Sequence, residues 1–193
     1  MAEKIQETKL TIELIPKTCW FSSVRTMVSI KEWNKLRFAS YELANNKCEI
    51  CGDNGLNQGY KHRVECHEVW EYNDETHTQK LIRLISLCVR CHQVKHIGRA
   101  NAMGKQADVF KQLEDVNGWD HKQVVTHVAE SFELYKERSK YQWALDISVL
   151  KKPPYNLLIP ENFERKYDKP KYKKKRKKKK STKKTTTSKK RKL

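Results

Sequence analysis

The chain has 193 residues, with 41 Lys and Arg against 23 Asp and Glu, for a formal charge of +18. A charge of that size predicts an anionic partner, nucleic acid before acidic membrane. No apolar run reaches the roughly 20 residues that span a bilayer, and the charged opening MAEKIQETK lacks the apolar core of a secretory signal. The expectation is therefore a non-secreted, intracellular protein. The charge is unevenly placed. Residues 165–193 hold 18 basic side chains and one acid, Asp168, whereas the first 164 residues hold 23 basic and 22 acidic ones. The body is close to neutral and the basicity is a tail.

Lys9 to Ile15 alternates Leu10, Ile12 and Leu14 with polar residues and is closed by Pro16, the pattern of a short strand. Ser29 and Glu32 have the spacing of a capping box, which predicts a helix to about Ala44 with Trp33, Leu36, Tyr41 and Ala44 toward one face. Asn45-Asn46 stops it just before Cys48, and Gly52 to Gly59 reads as a loop. Arg63 to Tyr72 has strand character. Val64, Cys66, Glu68, Trp70 and Tyr72 would share one face, with Glu65 and His67 on the other. A polar turn over Asn73 to Gln79 and an apolar return over Leu81 to Leu87 complete a hairpin. A short helix from Cys91 to Gly98, a loop GRANAMG, and helices over Gln106 to Val116 and Asp120 to about Lys140 follow. Gly118 breaks the first of that pair and Asp120 caps the second, whose buried stripe is Val124, Val128, Phe132 and Tyr135. Trp143 to Leu150 returns to strand character and is expected to pair with Lys9 to Ile15. Beyond Pro154, Tyr155 to Glu164 reads as an extended surface segment.

Of six cysteines, four form two Cys-x2-Cys pairs, Cys48 with Cys51 and Cys88 with Cys91, separated by 36 residues. Two residues between thiolates let both point at one ion, and two such pairs complete a tetrahedral structural zinc site. The order knuckle, hairpin, helix is that of a treble-clef finger. Cys19 is expected in the core, and Cys66 is left over. Outside the pairs, His67 stands in the first hairpin strand, and His92 and His96 follow the last cysteine, four residues apart.

The runs KCEICG, ECHEVWEY and LISLCVRCHQVKHIGRA, taken together, resemble the HNH endonucleases over about residues 30 to 100. The resemblance implies an α+β protein with a treble-clef, ββα-metal zinc core. It also implies hydrolysis of DNA that leaves a 5′-phosphate and a 3′-hydroxyl. Carried over by residue, His67 would be the general base, His92 the ligand of a catalytic Mg2+ or Mn2+, and His96 a second ligand or phosphate contact. Glu65 or Glu68 would supply an oxygen, Glu65 sharing the strand face of His67. Arg90, Lys95 and Arg99 would flank the cleft as phosphate contacts. Two positions depart from the family's pattern: Cys66 stands where an oxygen or nitrogen ligand precedes the base, and Arg83 where an Asn orients it. Asn73 is the only nearby Asn. The alternative is a catalytically inactive zinc protein that binds nucleic acid, and a third reading is a structural zinc protein whose tail is only an address. His62, His77, His121 and His127 are expected at the surface or in packing, as are Trp70 and Tyr72.

The organisation expected is a strand and connection over 1–28, the HNH-like core over 29–104, a helical extension with a terminal strand over 105–164, and a disordered polybasic tail over 165–193. Lys173, Lys174, Lys175, Arg176, Lys177 and Lys178 lie at the centre of that tail. Such a run binds nucleic acid by counterion release, with DNA placed before RNA as partner. It also resembles a nuclear localisation signal in a eukaryotic host. No acylation motif or amphipathic segment adjoins it to favour a membrane.

Overall fold

Local capping chemistry delimits the helices of the computed structural model, which describes residues 9–157. Ser29 Oγ accepts the backbone N–H of Glu32, and the Glu32 carboxylate accepts that of Ser29. This capping box opens α2, Ile30–Leu43, after a one-turn α1 at Val24–Met27. Asn45 and Asn46 then take positive φ and end α2 ahead of Cys48. The hairpin follows as β1, Glu65–Asn73, antiparallel to β2, Thr78–Leu87, with His67 opposite Ile85. A register shift after Val69 leaves Ile82 and Arg83 both exposed, the signature of a bulge.

The helices beyond the hairpin are α3 (Val89–Lys95), α4 (Ile97–Ala102), α5 (Gln106–Asn117) and α6 (His121–Arg138). Gly118, at φ 66°, closes α5, and an Asp120–Gln123 capping box opens α6. Two expectations change here. The third helix begins at Val89, because Cys88 itself is its N-cap. The stretch read as a loop is largely α4, whose Ile97 and Ala100 are buried three residues apart on one face.

The N-terminal strand and its partner are also revised. Lys9 to Ile15 is extended but joins no sheet. Its backbone is satisfied by the helices instead: Leu10 N–H by Asn117 Oδ1, Ile12 N–H by His127 Nε2, and Glu13 N–H by the Lys95 carbonyl. The alternation still places Leu10 and Ile12 in the core. Of Trp143 to Leu150, only β3, Ala144–Asp146, is strand, and it lies parallel to β2, giving a sheet of order β1-β2-β3. A 3-10 helix over Ser148–Lys151 is followed by a turn at 153–155. Of the segment expected to be extended, Tyr155 to Glu164, Tyr155 lies in that turn and 158–164 lie outside the described residues.

One apolar cluster contains Leu10, Ile12, Ile85, Leu87, Val94, Ile97, Val109, Leu113 and Val124, and Cys48, Cys88 and Cys91 sit within it. Helices α5 and α6 thus pack into the same core as the cysteines. Among the described residues, no helix is long and apolar enough to cross a membrane.

Candidate metal centres and the adjoining cleft

Cys48 and Cys51 are carried by a tight turn in which Cys48 N–H reaches the Asp53 carbonyl and Gly52 N–H the Cys48 carbonyl, with Gly52 at φ 77°. Cys88 and Cys91 lie at the start of α3. All four sulfurs fall within 4.8 Å of one another, and Cys51 and Cys88 are 3.6 Å apart. Tetrahedral Zn–S bonds of about 2.3 Å put sulfurs about 3.8 Å apart, so the set is compatible with one structural metal such as zinc. Buried Gln112, on α5, donates to Cys91 Sγ at 3.3 Å. That bond disperses thiolate charge in an otherwise apolar setting, the role of a partner behind a metal ligand.

Glu49, within the knuckle, ties this site to the hairpin. Its carboxylate accepts Ser86 N–H at 2.8 Å and Arg83 Nη1 at 2.6 Å. Arg83 is therefore engaged with the knuckle rather than with the histidines.

His67, His92 and His96 each place one ring nitrogen within 4.8 Å of the others'. His67 comes from β1 and is 3 % exposed; His92 lies on α3; His96 occupies the junction between α3 and α4. Two of the rings are held by carboxylates. His67 Nε2 lies 3.0 Å from Glu13 Oε2, and His92 Nδ1 lies 2.5 Å from Glu65 Oε2. Burial pushes the Glu13 carboxyl up, but its hydrogen bond to His67 and the charge of Lys95 outweigh that and leave it below the ordinary range. The bond to His92 lowers Glu65. Ionised carboxylates accept hydrogen bonds, so the paired nitrogens, His67 Nε2 and His92 Nδ1, are the N–H donors. Burial lowers His67 despite Glu13, and lowers His96 to about 3, which keeps both rings neutral at ordinary pH.

His92, His96 and Glu65 also line a cleft of about 620 Å3 whose other walls come from α1, α2 and α4. Arg99 is exposed there. Arg90 is exposed but lies outside the lining, with its N–H bonded to Gln58. Lys95 is a correction: it is 4 % exposed, with Nζ 2.5 Å from Glu13 Oε1 and 3.1 Å from Thr11 Oγ1, and is not a surface cation. Cys66 faces the cleft, and burial pushes its thiol up to about 11, so it is neutral and no ready metal ligand. Asn73 sits at the hairpin tip, where its Oδ1 accepts Glu75 and Thr76 N–H, remote from His67 along the strand. His62, expected at the surface or in packing, lines the cleft and bonds Glu65 Oε1 at 3.0 Å. His77 stacks on Tyr141, His121 bonds Glu114 at the surface, and His127 anchors the N-terminal segment. Lys173 through Lys178 lie outside the described residues.

The residues that sequence reasoning passed over are Glu13, Arg25 and Arg37. Glu13 alternates with the apolar residues of a strand-like run, and Arg25 and Arg37 belong to no motif; only the tertiary placement of the N-terminal segment, α1 and α2 brings them to the site. No protein-family model, curated protein or solved structure matches the chain, so the site is read from its own geometry.

Proposed function

We propose that the protein is a metal-dependent endonuclease of HNH type that hydrolyses nucleic-acid phosphodiesters, DNA before RNA, on a scaffold stapled by a four-cysteine structural zinc. One observation carries the proposal: His67, His92 and His96 converge beside an arginine-lined cleft, with carboxylates behind two of the rings.

His67 is the base. Glu13 holds the proton on Nε2, leaving Nδ1 free to take a proton from the attacking water, and the same carboxylate stabilises the imidazolium that results. Glu65 orients His92 by accepting its Nδ1–H, so that Nε2 is the ligand atom, and His96 adds a second neutral imidazole. A divalent cation held there would neutralise charge on the phosphate and stabilise the departing 3′ oxygen. Imidazole donors suit Mn2+ better than Mg2+.

The test is nicking of supercoiled plasmid by the purified chain. Cleavage is expected with Mn2+ above Mg2+, and His67→Ala should lower the rate at least about 100-fold while retaining a cooperative melt. Undiminished cutting by that variant would overturn the assignment of the base. Binding without cleavage under every divalent ion would leave the inactive nucleic-acid-binding reading in its place.

A further inference from the structure

The polybasic tail would give sequence-blind attraction to a polyanion, but the described residues have a cationic cleft of their own. Arg25 on α1, Arg37 on α2 and Arg99 on α4 line the cleft that leads to His92 and His96. Arg83 and Arg138 are ion-paired to Glu49 and Asp74; among the described residues, the three cleft arginines are paired to no carboxylate. Glu65, the acid in the lining, is occupied by His62 and His92. The cleft is therefore open to an anion.

Aromatic rings stand beside those charges. Trp33, Phe38 and Tyr41, all on α2, face the same space. Phe38 is 48 % exposed, with Tyr41 edge-on at 5.9 Å and the Arg37 guanidinium 4.3 Å over its ring. An exposed ring flanked by a guanidinium is a stacking surface for any base. The hairpin aromatics do not compete for this role: Tyr72 packs edge-on against Trp143 at 5.1 Å, with Arg138 over its ring.

We propose that this cleft binds single-stranded nucleic acid, an unstacked base resting on the α2 aromatics and the neighbouring phosphates on Arg25, Arg37 and Arg99. Depth decides between single strand and duplex. The histidines are recessed, His67 almost wholly and His92 with 21 % of its side chain exposed, and Trp33, Arg37, Phe38 and Tyr41 of α2 line the same cleft as His92 and His96. A stiff duplex cannot lower one phosphate to that floor without unstacking, whereas a single strand turns a nucleotide inward at little cost. The 620 Å3 of the cleft is also on the scale of a small-ligand pocket, about 300–1,000 Å3, rather than of a surface that tracks a duplex groove. What happens to the bound strand rests on the hydrolase reading; the binding does not.

The experiment uses the full chain with no added divalent metal and a short fluorescent oligonucleotide, offered as a single strand and as its duplex. Anisotropy should show the single strand bound more tightly. Phe38→Ala and Arg37→Glu should each weaken single-strand binding on the order of tenfold, leaving duplex binding through the tail and the melting temperature unchanged. Photocrosslinking of a halogenated uridine in the strand should mark Trp33, Phe38 or Tyr41. Equal affinity for the two forms, or a preference that survives both substitutions, would overturn the proposal. With Mn2+ added, failure to cut while the single-strand preference persists sinks the hydrolase reading and leaves the cleft assignment standing. Cutting of duplex but not of single strand does the reverse.

Discussion

Glu13 ties together two residues that the sequence places far along the chain from it. One oxygen holds His67, 54 residues on, and the other holds Lys95, 82 residues on. A buried lysine and a buried histidine are each costly alone, and a shared carboxylate offsets both. Glu68, on β1, behaves differently. It accepts the Arg25 backbone N–H at 3.3 Å, no cation among the described residues is paired to it, and burial pushes its carboxyl up to about 7. Its folded pKa thus exceeds the unfolded one. Between about pH 4.5 and 7 the folded state holds more protons than the unfolded one, so this group's contribution to stability falls as pH rises through that window. Glu68→Gln keeps an acceptor for the N–H and removes the titration. The variant should melt close to wild type at pH 5 and several degrees above it at pH 8, a gain of about 1–3 kcal/mol. Parallel melting curves of the two proteins across that range would refute it.

At the scale of elements, what could be read from sequence is what rests on local chemistry. The Ser29 and Asp120 capping boxes, the stop at Gly118 and the period-2 hairpin depend on residues within a few positions of each other, and they stand where they were expected. The misreadings involve distant partners. Lys9 to Ile15 has a strand's alternation, but Asn117, His127 and Lys95 take its backbone hydrogen bonds. The α4 helix contains Gly98 and is followed by Gly104, so local sequence does little to hold it, and it depends on seating Ile97 and Ala100 in the core. The histidine cluster was legible as three residues but not as a site with partners, because Glu13 reaches it from another element. The loop joining the knuckle to β1 carries a constraint that composition hides. A Cβ at Gly55 would overlap the carbonyl oxygen of His62, and Gly55 N–H is bonded to the Arg63 carbonyl at 2.6 Å. Gly55→Ala must push apart backbone that also sets the start of β1. It should cost about 2–3 kcal/mol in denaturant unfolding, whereas Gly59→Ala, with nothing near its Cβ, should cost only the strain of a left-handed φ. Equal losses at the two positions would show that the loop has no such contact.

For the whole molecule, the cysteine site lies inside the core rather than on an appended finger. Cys48, Cys88 and Cys91 share a cluster with Leu10 from the N-terminal segment, Leu87 from β2, Leu113 from α5 and Val124 from α6. Withdrawing a metal from there would leave thiolates, or thiols that must first take up protons, among side chains chosen for an apolar setting. Structural zinc contributes on the order of 10 kcal/mol, and a domain's net stability is about 5–15 kcal/mol, so the two are of similar size and the fold should not survive the loss. Mercurial titration of the full chain, followed with a zinc indicator, should release one zinc per chain. The cooperative melt should disappear in step, with the circular dichroism of α5 and α6 lost together with that of the hairpin region. A separate finger would instead lose only its own part of the signal and leave the helices melting as before. Cys91→Ser should reproduce the collapse, and Gln112→Leu, which keeps all four sulfurs but removes the hydrogen bond to one, should fold yet release its zinc about 10–100-fold more readily.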